Sequence, residues 1–294
     1  MPELPEVETI VRGLKEKIIN CKIIDAWTDI LQNIKKPKTF SDFLTQIKNK
    51  KIENIYRLGK NIIFELSDDY ILLIHQKLTG HLLYGKWEKD KNGKFVSKIP
   101  GPLKDDPQNN FLHLILFLDN GFQIALSDLR KFAKIILLKK EEFYNLKEIK
   151  NLGPDPLDKN FTFEKFKERI FKKKRGKIKK ILMDQNIIAG IGNIYSDEIL
   201  WRAKIHPNKD ISQLSEKELK DIYQIMREVL LKAIILGGES ISDFRNIFGK
   251  KGNFDKMRKV YRREGENCER CNNKIKRIKI GGRSSYYCPY CQKL

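Results

Sequence analysis

Four cysteines in the last 27 residues, spaced Cys268-x2-Cys271, then sixteen residues, then Cys288-x2-Cys291, constrain this chain more than any other feature. Each pair puts two thiolates on a tight knuckle, and four sulfurs complete a tetrahedral shell around Zn2+ with no position open to water. Closed coordination of this kind makes the metal structural. A pair of disulfides or an iron centre would be the alternative, but the chain is otherwise poor in cysteine, with Cys21 standing alone. The tail from about Tyr261 is too short to bury an apolar core of its own, so it folds around its metal. Between the cysteine pairs, Lys274, Lys276, Arg277, Lys279 and Arg283 flank Gly281-Gly282, the pattern of a basic β-hairpin. Such a hairpin is either a solvated surface or a tip that reaches nucleic acid.

Charge separates those two readings. The 294 residues carry 59 Lys or Arg against 38 Asp or Glu, a formal +21. From Arg245 to Leu294 there are 15 basic and 4 acidic residues, and in Arg169–Lys180 eight of twelve are basic with none acidic. Two basic concentrations, one of them the cysteine hairpin, point to a polyanionic partner held through its phosphates. No apolar run approaches the roughly 20 residues that cross a bilayer, and no signal-peptide pattern opens the chain. A soluble, cytoplasmic protein is expected.

The hydrophobic period changes twice. Val7, Ile10, Val11, Leu14 and Ile18 predict a helix over Pro5–Ile18. From Lys22 to Lys139 the pattern is that of strands, at Lys22–Asp29, Lys51–Arg57, Asn61–Leu66, Tyr70–His75, Phe111–Leu118, Phe122–Ser127 and Ala133–Leu138, with a short helix at Phe40–Ile47. Short turns such as Leu58-Gly59 and Asp119-Asn120-Gly121 favour antiparallel neighbours and a sandwich or flattened barrel. Lys86–Asn110, with three prolines, reads as a long loop or a partly ordered insertion. Leu152-Gly153-Pro154-Asp155-Pro156-Leu157 marks a boundary. Beyond it helices are expected at Phe161–Phe171, Ile178–Gln185, Tyr195–Ala203, Ser215–Leu236 and Ile241–Phe248, with Ser215 and Glu218 as a capping box and Gly237-Gly238 as a stop. The expected division is 1–150, 151–260 and 261–294.

The first residues, Met1-Pro2-Glu3-Leu4-Pro5-Glu6-Val7-Glu8, carry reactive groups. With Met1 removed, Pro2 would present a secondary amine beside Glu3, with Glu6 one helical turn on. An unmodified amino terminus has a pKa of roughly 7.7–8.0, so near neutral pH it can attack a carbonyl carbon and form a Schiff base while carboxylates move protons. The plainer reading is a helix start, since Pro suits the first turn and carboxylates its positive end. That accounts for Pro5, Glu6 and Glu8 but leaves Pro2 and Glu3 without a role.

Three further sets stand out. Gly190-Ile191-Gly192-Asn193 allows a tight turn with free backbone N–H groups, Asn193 capping the next helix, and suits a phosphate grip; its glycine spacing is not that of a dinucleotide site. In His75–His81 a strand closes in a turn from which Leu78 can project. Ser127–Phe132 places a cation, Arg130, two residues from an aromatic, Phe132, so that one could meet a base edge and the other wedge between bases, although each set alone is more often ordinary core or loop. Lys60 follows Gly59 in a hairpin, as a phosphate contact or an ordinary turn lysine.

Taken together, Pro2-Glu3-Leu4-Pro5-Glu6, Leu152-Gly153-Pro154-Asp155-Pro156-Leu157, Gly190-Ile191-Gly192-Asn193-Ile194-Tyr195 and the four-cysteine tail resemble, in order and end to end, the bacterial formamidopyrimidine-DNA glycosylases, repair enzymes that excise oxidised purines. The related endonuclease VIII group typically has glycine where this chain has Leu4. The resemblance implies an α+β fold: an N-terminal antiparallel β-sandwich with flanking helices, then a helical domain with a helix-two-turns-helix element and a zinc-binding hairpin finger. It implies a monomer acting on double-stranded DNA with an oxidised base, in the bacterial cytoplasm at the nucleoid.

By the same resemblance, Pro2 is the nucleophile at C1′, Glu3 the proton handler, Glu6 a supporting carboxylate and Lys60 a catalytic-site lysine touching phosphate. Leu78, Arg130 and Phe132 fill the gap left by the extruded nucleotide. Lys179, Asn193 and Arg283 hold phosphates, and Cys268, Cys271, Cys288 and Cys291 hold one Zn2+. The chain departs from the family pattern at Leu78 for methionine, Leu129 for proline, and Ala133 and Arg262 for glycine.

Overall fold

A computed structural model of the chain describes residues 1–240 and 243–294. They form two compact units, Met1–Lys150 with Leu236–Asp255, and Asn151–Ile235 with Lys256–Leu294.

The first unit opens with helix α1 (Leu4–Ile18), whose buried face is Val7, Ile10, Val11, Leu14 and Ile18. Then follow β1 (Ile23–Thr28), β2 (Ile34–Lys36), α2 (Phe40–Ile47), β3 (Ile52–Leu58), β4 (Asn61–Leu66), β5 (Tyr70–His75), β6 (His81–Gly85), β7 (Trp87–Lys89), β8 (Phe95–Ser97), α3 (Pro102–Asp105), β9 (Leu112–Leu118), β10 (Gln123–Ser127), β11 (Lys134–Lys139), α4 (Lys140–Phe143) and α5 (Lys147–Lys150). A four-stranded sheet runs β1-β9-β10-β6 and a five-stranded sheet β2-β11-β5-β4-β3, antiparallel except where β2 meets β11. Alternate residues of both sheets, such as Leu114, Leu116 and Leu126 on one and Ile62, Phe64, Leu72 and Ile135 on the other, share one core with α1 and with Phe244 and Ile247. This is the expected sandwich.

Asp68 and Asp69 both have positive φ, +59° and +58°, as a two-residue hairpin between β4 and β5 requires. Of the two readings of Lys86–Asn110, a long loop or a partly ordered insertion, the structure shows the ordered one: the β7–β8 hairpin, the α3 turn and a 3-10 turn at Pro107–Asn110. Trp87 and Phe95 supply the reason, packing with Leu83, Leu103 and Ile115 in a second cluster on the outer face of the four-stranded sheet.

The second unit holds α6 (Phe163–Ile170), α7 (Ile178–Met183), α8 (Asn193–Arg202), α9 (Glu216–Ile235) and the hairpin β12 (Lys276–Ile280) and β13 (Arg283–Tyr287). Ser215 and Glu218 make the expected capping box: the Glu218 carboxylate accepts Ser215 N–H at 2.8 Å, and Ser215 Oγ accepts Glu218 N–H at 3.2 Å. After α9, Gly237 and Gly238 turn the chain at φ +75° and +80°. The helix expected over Ile241–Phe248 does not form in its described part: Ile241 and Ser242 lie outside the described residues, and 243–248 are not helical. Phe244 and Ile247 bury their side chains in the sandwich core instead.

Candidate active site and metal centre

The amino end is built by its own sequence. Pro5 sits in the first turn of α1, where its missing N–H costs nothing, and Glu3 caps the helix in an extended conformation. Glu6 folds back so that its Oε2 accepts Glu3 N–H at 2.7 Å, half of a capping box. Its other oxygen, Oε1, accepts Glu239 N–H at 2.8 Å. Both carboxylates are buried, Glu3 to 2% exposure and Glu6 to 1%. Pro2 is buried too, behind an exposed Met1. Two residues along, Glu8 bonds Arg12 on its own helix and Arg57 on β3, at 2.8 and 2.9 Å. Burial raises its pKa, but the two guanidiniums outweigh that and hold the carboxyl below the usual range. This pair fixes α1 against the sheet beside the amino end.

Lys60 follows Gly59 (φ +58°) in the tight β3–β4 turn and is only 6% exposed, unlike an ordinary turn lysine. It is one of the charges facing His75, at the end of β5, whose pKa falls to about 3 through burial first and then the nearby Lys77 and Lys60. His75 Nδ1 accepts Lys77 N–H at 2.9 Å and so requires the neutral ring.

Leu78, Arg130 and Phe132 lie on two loops that one carboxylate binds together. Asp128, fully buried, accepts the Thr79 hydroxyl with one oxygen and Ala133 N–H at 2.8 Å with the other. Thr79 Oγ1 in turn accepts Arg130 N–H at 3.0 Å. The half-buried Leu78 is thus held beside an exposed loop where the Arg130 guanidinium stacks 4.9 Å from the Phe132 ring, itself 51% exposed. Neither Thr79 nor Asp128 was singled out in the sequence; a Thr and an Asp 49 residues apart give no periodic signal.

In the second unit, α7 and α8 are joined by the turns at 184–192. Gln185 stitches them, its Oε1 accepting Gly190 N–H at 2.9 Å and its Nε2 donating to the Ile191 carbonyl at 2.7 Å. Asn193 is the first residue of α8, and its Oδ1 is buried without a hydrogen-bond partner. Lys179, expected to reach outward to phosphate, does something else: its Nζ lies 2.7 Å from Asp197 and 3.1 Å from the Ser284 carbonyl, and it is 1% exposed. Asp197 also accepts Ser285 Oγ–H at 2.7 Å and Tyr286 N–H at 3.0 Å, so one buried ion pair ties α7 and α8 to β13. The next residue, Glu198, accepts the backbone N–H groups of Lys259, Val260 and Tyr261. Arg283 is exposed at the hairpin tip after Gly281 and Gly282, both at positive φ.

The four cysteine sulfurs lie within 4.8 Å of one another, with Cys271–Cys288 at 3.4 Å and Cys268–Cys291 at 3.9 Å. Zinc–sulfur bonds of about 2.3 Å at a tetrahedral centre put the sulfurs roughly 3.8 Å apart, so the cage fits one Zn2+. Gln292 steadies it, accepting Cys288 N–H and donating to the Ile205 carbonyl.

Comparison with known proteins decides the family. Residues 1–135 match the family model of the formamidopyrimidine-DNA glycosylase N-terminal domain, 152–245 that of the H2TH domain of the same enzymes, and 265–294 a zinc finger found in FPG and IleRS. The formamidopyrimidine-DNA glycosylase of Pelotomaculum thermopropionicum is 38% identical over the full length of both chains. This chain belongs to the formamidopyrimidine-DNA glycosylase family. The Desulforamulus reducens glycosylase is 36% identical over 100% of this chain and 99% of its own. A Lactococcus lactis FPG mutant, solved with Fapy-dG containing DNA, superimposes with a TM-score of 0.85 at 33% identity over all of both chains. MutM in complex with carbocyclic 8-oxo-G containing DNA gives 0.84 at 34% identity, again over the whole of each.

Arg262, where the resemblance implied glycine, sits in a strained conformation. Its φ is +55°, a left-handed conformation that glycine adopts freely and arginine does not. Pro2, Glu3 and Glu6 are brought together at one buried helix start, and Leu78, Arg130 and Phe132 on the loops joined by Asp128. Asn193 and Arg283 belong to α8 and β13, the two elements that Asp197 joins.

Proposed function

We propose that this chain is a bifunctional DNA glycosylase and AP lyase that removes oxidised purines, 8-oxoguanine and formamidopyrimidines, from duplex DNA through a Schiff base on Pro2. Removal of Met1 frees the proline nitrogen. The duplex is kinked and the damaged nucleotide extruded, with Leu78, Arg130 and Phe132 filling the gap and Arg130 facing the orphaned cytosine. Arg283 and Asn193 hold phosphates, Lys60 a phosphate beside the lesion, and Lys179 acts on DNA through the hairpin it anchors.

The Pro2 nitrogen then forms a bond to C1′ as the bond to the base breaks, and Glu3 handles the proton that opens the sugar ring. The resulting iminium acidifies the C2′ proton, whose loss expels the 3′ phosphate. A second elimination expels the 5′ phosphate and leaves a one-nucleotide gap. Glu6 holds the turn that carries Glu3. Purine preference rests on Leu4, where the pyrimidine-preferring group has glycine. The protein works as a monomer, in the cytoplasm at the nucleoid; no helix among the described residues is long and apolar enough to cross a membrane.

What supports this reading most is the burial of both Glu3 and Glu6 next to Pro2: a capping box accounts for the bond from Glu3 N–H to Glu6, but it does not need two carboxylates taken out of water. Borohydride trapping on 8-oxoguanine duplex tests it. A covalent adduct is expected, absent in Pro2→Gly and in a chain with an extra amino-terminal residue, while Glu3→Gln abolishes base excision. No adduct, or one indifferent to Pro2, refutes the assignment, and faster excision of an oxidised pyrimidine refutes the purine preference.

A further inference from the structure

Glu6 orients the amino end only as firmly as Glu239 holds Glu6. Oε1 of Glu6 accepts the Glu239 N–H, and Oε2 the Glu3 N–H, so a shift of residue 239 passes through one rigid carboxylate to the turn that carries Glu3. Glu239 lies in the segment Leu236–Asp255, which has no helix or strand among its described residues beyond the start of a 3-10 turn at Phe254. Something other than regular structure must place it.

The segment is closed at its neck. Asn253 N–H donates to the Leu236 carbonyl at 2.8 Å, Phe254 N–H to the Gly238 carbonyl at 3.1 Å, and Gly252 N–H to Ser240 Oγ at 2.8 Å. Gly252 permits this approach, since a Cβ there would fall 2.2 Å from the Gly238 carbonyl oxygen.

Its far arm is held by the stretch between β8 and β9. The Arg245 guanidinium, 4% exposed, grips both oxygens of Asp106 at 2.6 and 3.3 Å. Asn109, fully buried, donates from Nδ2 to the Gly249 carbonyl at 3.1 Å and to the Pro102 carbonyl at 2.7 Å, while its Oδ1 meets His81 Nε2 at 3.0 Å. A bidentate pair on a buried arginine is geometrically demanding, and loss of the half-buried Asp106 carboxylate leaves that guanidinium buried without its counter-charge. The polar stretch before β9 thus supplies directional bonds to a returning chain that has no sheet or helix among its described residues up to the 3-10 turn.

We propose that Asp106 and Asn109 are positioning residues for the amino-terminal carboxylates, acting on Glu6 through the 236–255 segment. The catalytic half of this inference rests on the function proposed above; the mechanical half does not. Amide hydrogen exchange on the intact chain reads the mechanical half, at Glu239 with Ile10 of α1 as internal reference. Asp106→Asn should speed exchange at Glu239 at least tenfold and leave Ile10 unchanged. Single-turnover excision should slow at least tenfold while the dissociation constant for lesion duplex stays within threefold, and Asp106→Glu should recover part of the rate. Glu88→Gln, in an exposed ion pair of the β7–β8 hairpin, should change neither. If Asp106→Asn does not fold, the double variant Asp106→Asn/Arg245→Gln removes both charges and is read in the same way. Wild-type exchange at Glu239 in a folded variant overturns the link. Faster exchange with an undiminished excision rate overturns the positioning role. A wild-type chain that excises nothing defeats the enzymatic reading, while the exchange result still decides the link.

Discussion

Lys179→Met separates a strut from a phosphate contact. The ammonium is 1% exposed and 2.7 Å from Asp197, which is itself fully buried. Removing one member of a buried ion pair costs about 3–5 kcal/mol, because the survivor keeps its desolvation penalty without its partner. Here the surviving carboxylate keeps two neutral donors, Ser285 Oγ–H and Tyr286 N–H. Burial already pushes its pKa up to about 6 against the pull of Lys179, Ser285 and Tyr286. Without the cation it rises further, and Asp197 takes up a proton near neutral pH. Neutralisation caps the loss, so about 3 kcal/mol is expected at pH 7. A folded pKa above the unfolded value means that the folded state binds the extra proton, so the penalty should shrink as pH falls from 8 to 5. Urea unfolding of the wild type, Lys179→Met, Asp197→Asn and the double variant measures it. Asp197→Asn should also be destabilising, and the double variant should lose less than the two singles together. A Lys179→Met protein with the wild-type midpoint, whose DNA affinity falls with a salt slope smaller by roughly 0.9, would mean that Lys179 reaches phosphate and that the strut is wrong.

Acid should loosen the sandwich through two histidines. Burial lowers the pKa of His75 to about 3 and of His81 to about 4, so both stay neutral in the fold while the unfolded chain protonates them near 6.5. Each contributes on the order of 3 kcal/mol that is present above pH 6.5 and lost as pH falls towards 4, so His75→Gln and His81→Gln should flatten the loss of urea stability from pH 7 to 5; an unchanged slope refutes this. Thiol titration under native conditions should find Cys21 alone reactive until a chelator removes one zinc per chain, whereupon four more thiols react and the hairpin loses its amide protection. Five thiols reactive from the start would show that no metal holds the cage.

How much of this was legible depended on whether a residue's partner was near in sequence. Strands Asn61–Leu66 and Tyr70–His75 end where the sequence says they should, because apolar runs meet turns with their own chemistry. Strand His81–Gly85 was hidden: its five buried residues follow the Leu78 turn closely and have no polar alternation. The β7–β8 hairpin was masked by its lysines, since what folds it is Trp87 and Phe95 against Leu83 and Ile115. Ile241, Phe244 and Ile247 carry a helical spacing, yet the described backbone there is fixed by tertiary bonds, Tyr84 N–H to the Ile247 carbonyl at 2.7 Å and Arg245 to Asp106. Apolar period reports which side chains are buried, and an irregular chain over a core can satisfy the same spacing.

Charge misleads in a parallel way, because composition counts a lysine alike whether it faces water or a carboxylate. Within Arg169–Lys180, Arg169 caps the Asn186 and Ile187 carbonyls, Lys173 pairs with Asp184 at 2.7 Å, and Lys179 is sealed against Asp197. Its neighbour Lys180, one position on along the same helix, is exposed, its aliphatic stem near Gly281 of the hairpin tip. A helix turns about 100° per residue, so adjacent lysines in a basic run have opposite fates, and only the apolar residues between them, Ile178, Ile181 and Leu182, mark the inward side. Lys179, about 100° round from Ile178, sits at the flank of that face. The helix period therefore leaves its fate open, and what draws it inward is Asp197, a partner eighteen residues further along the chain.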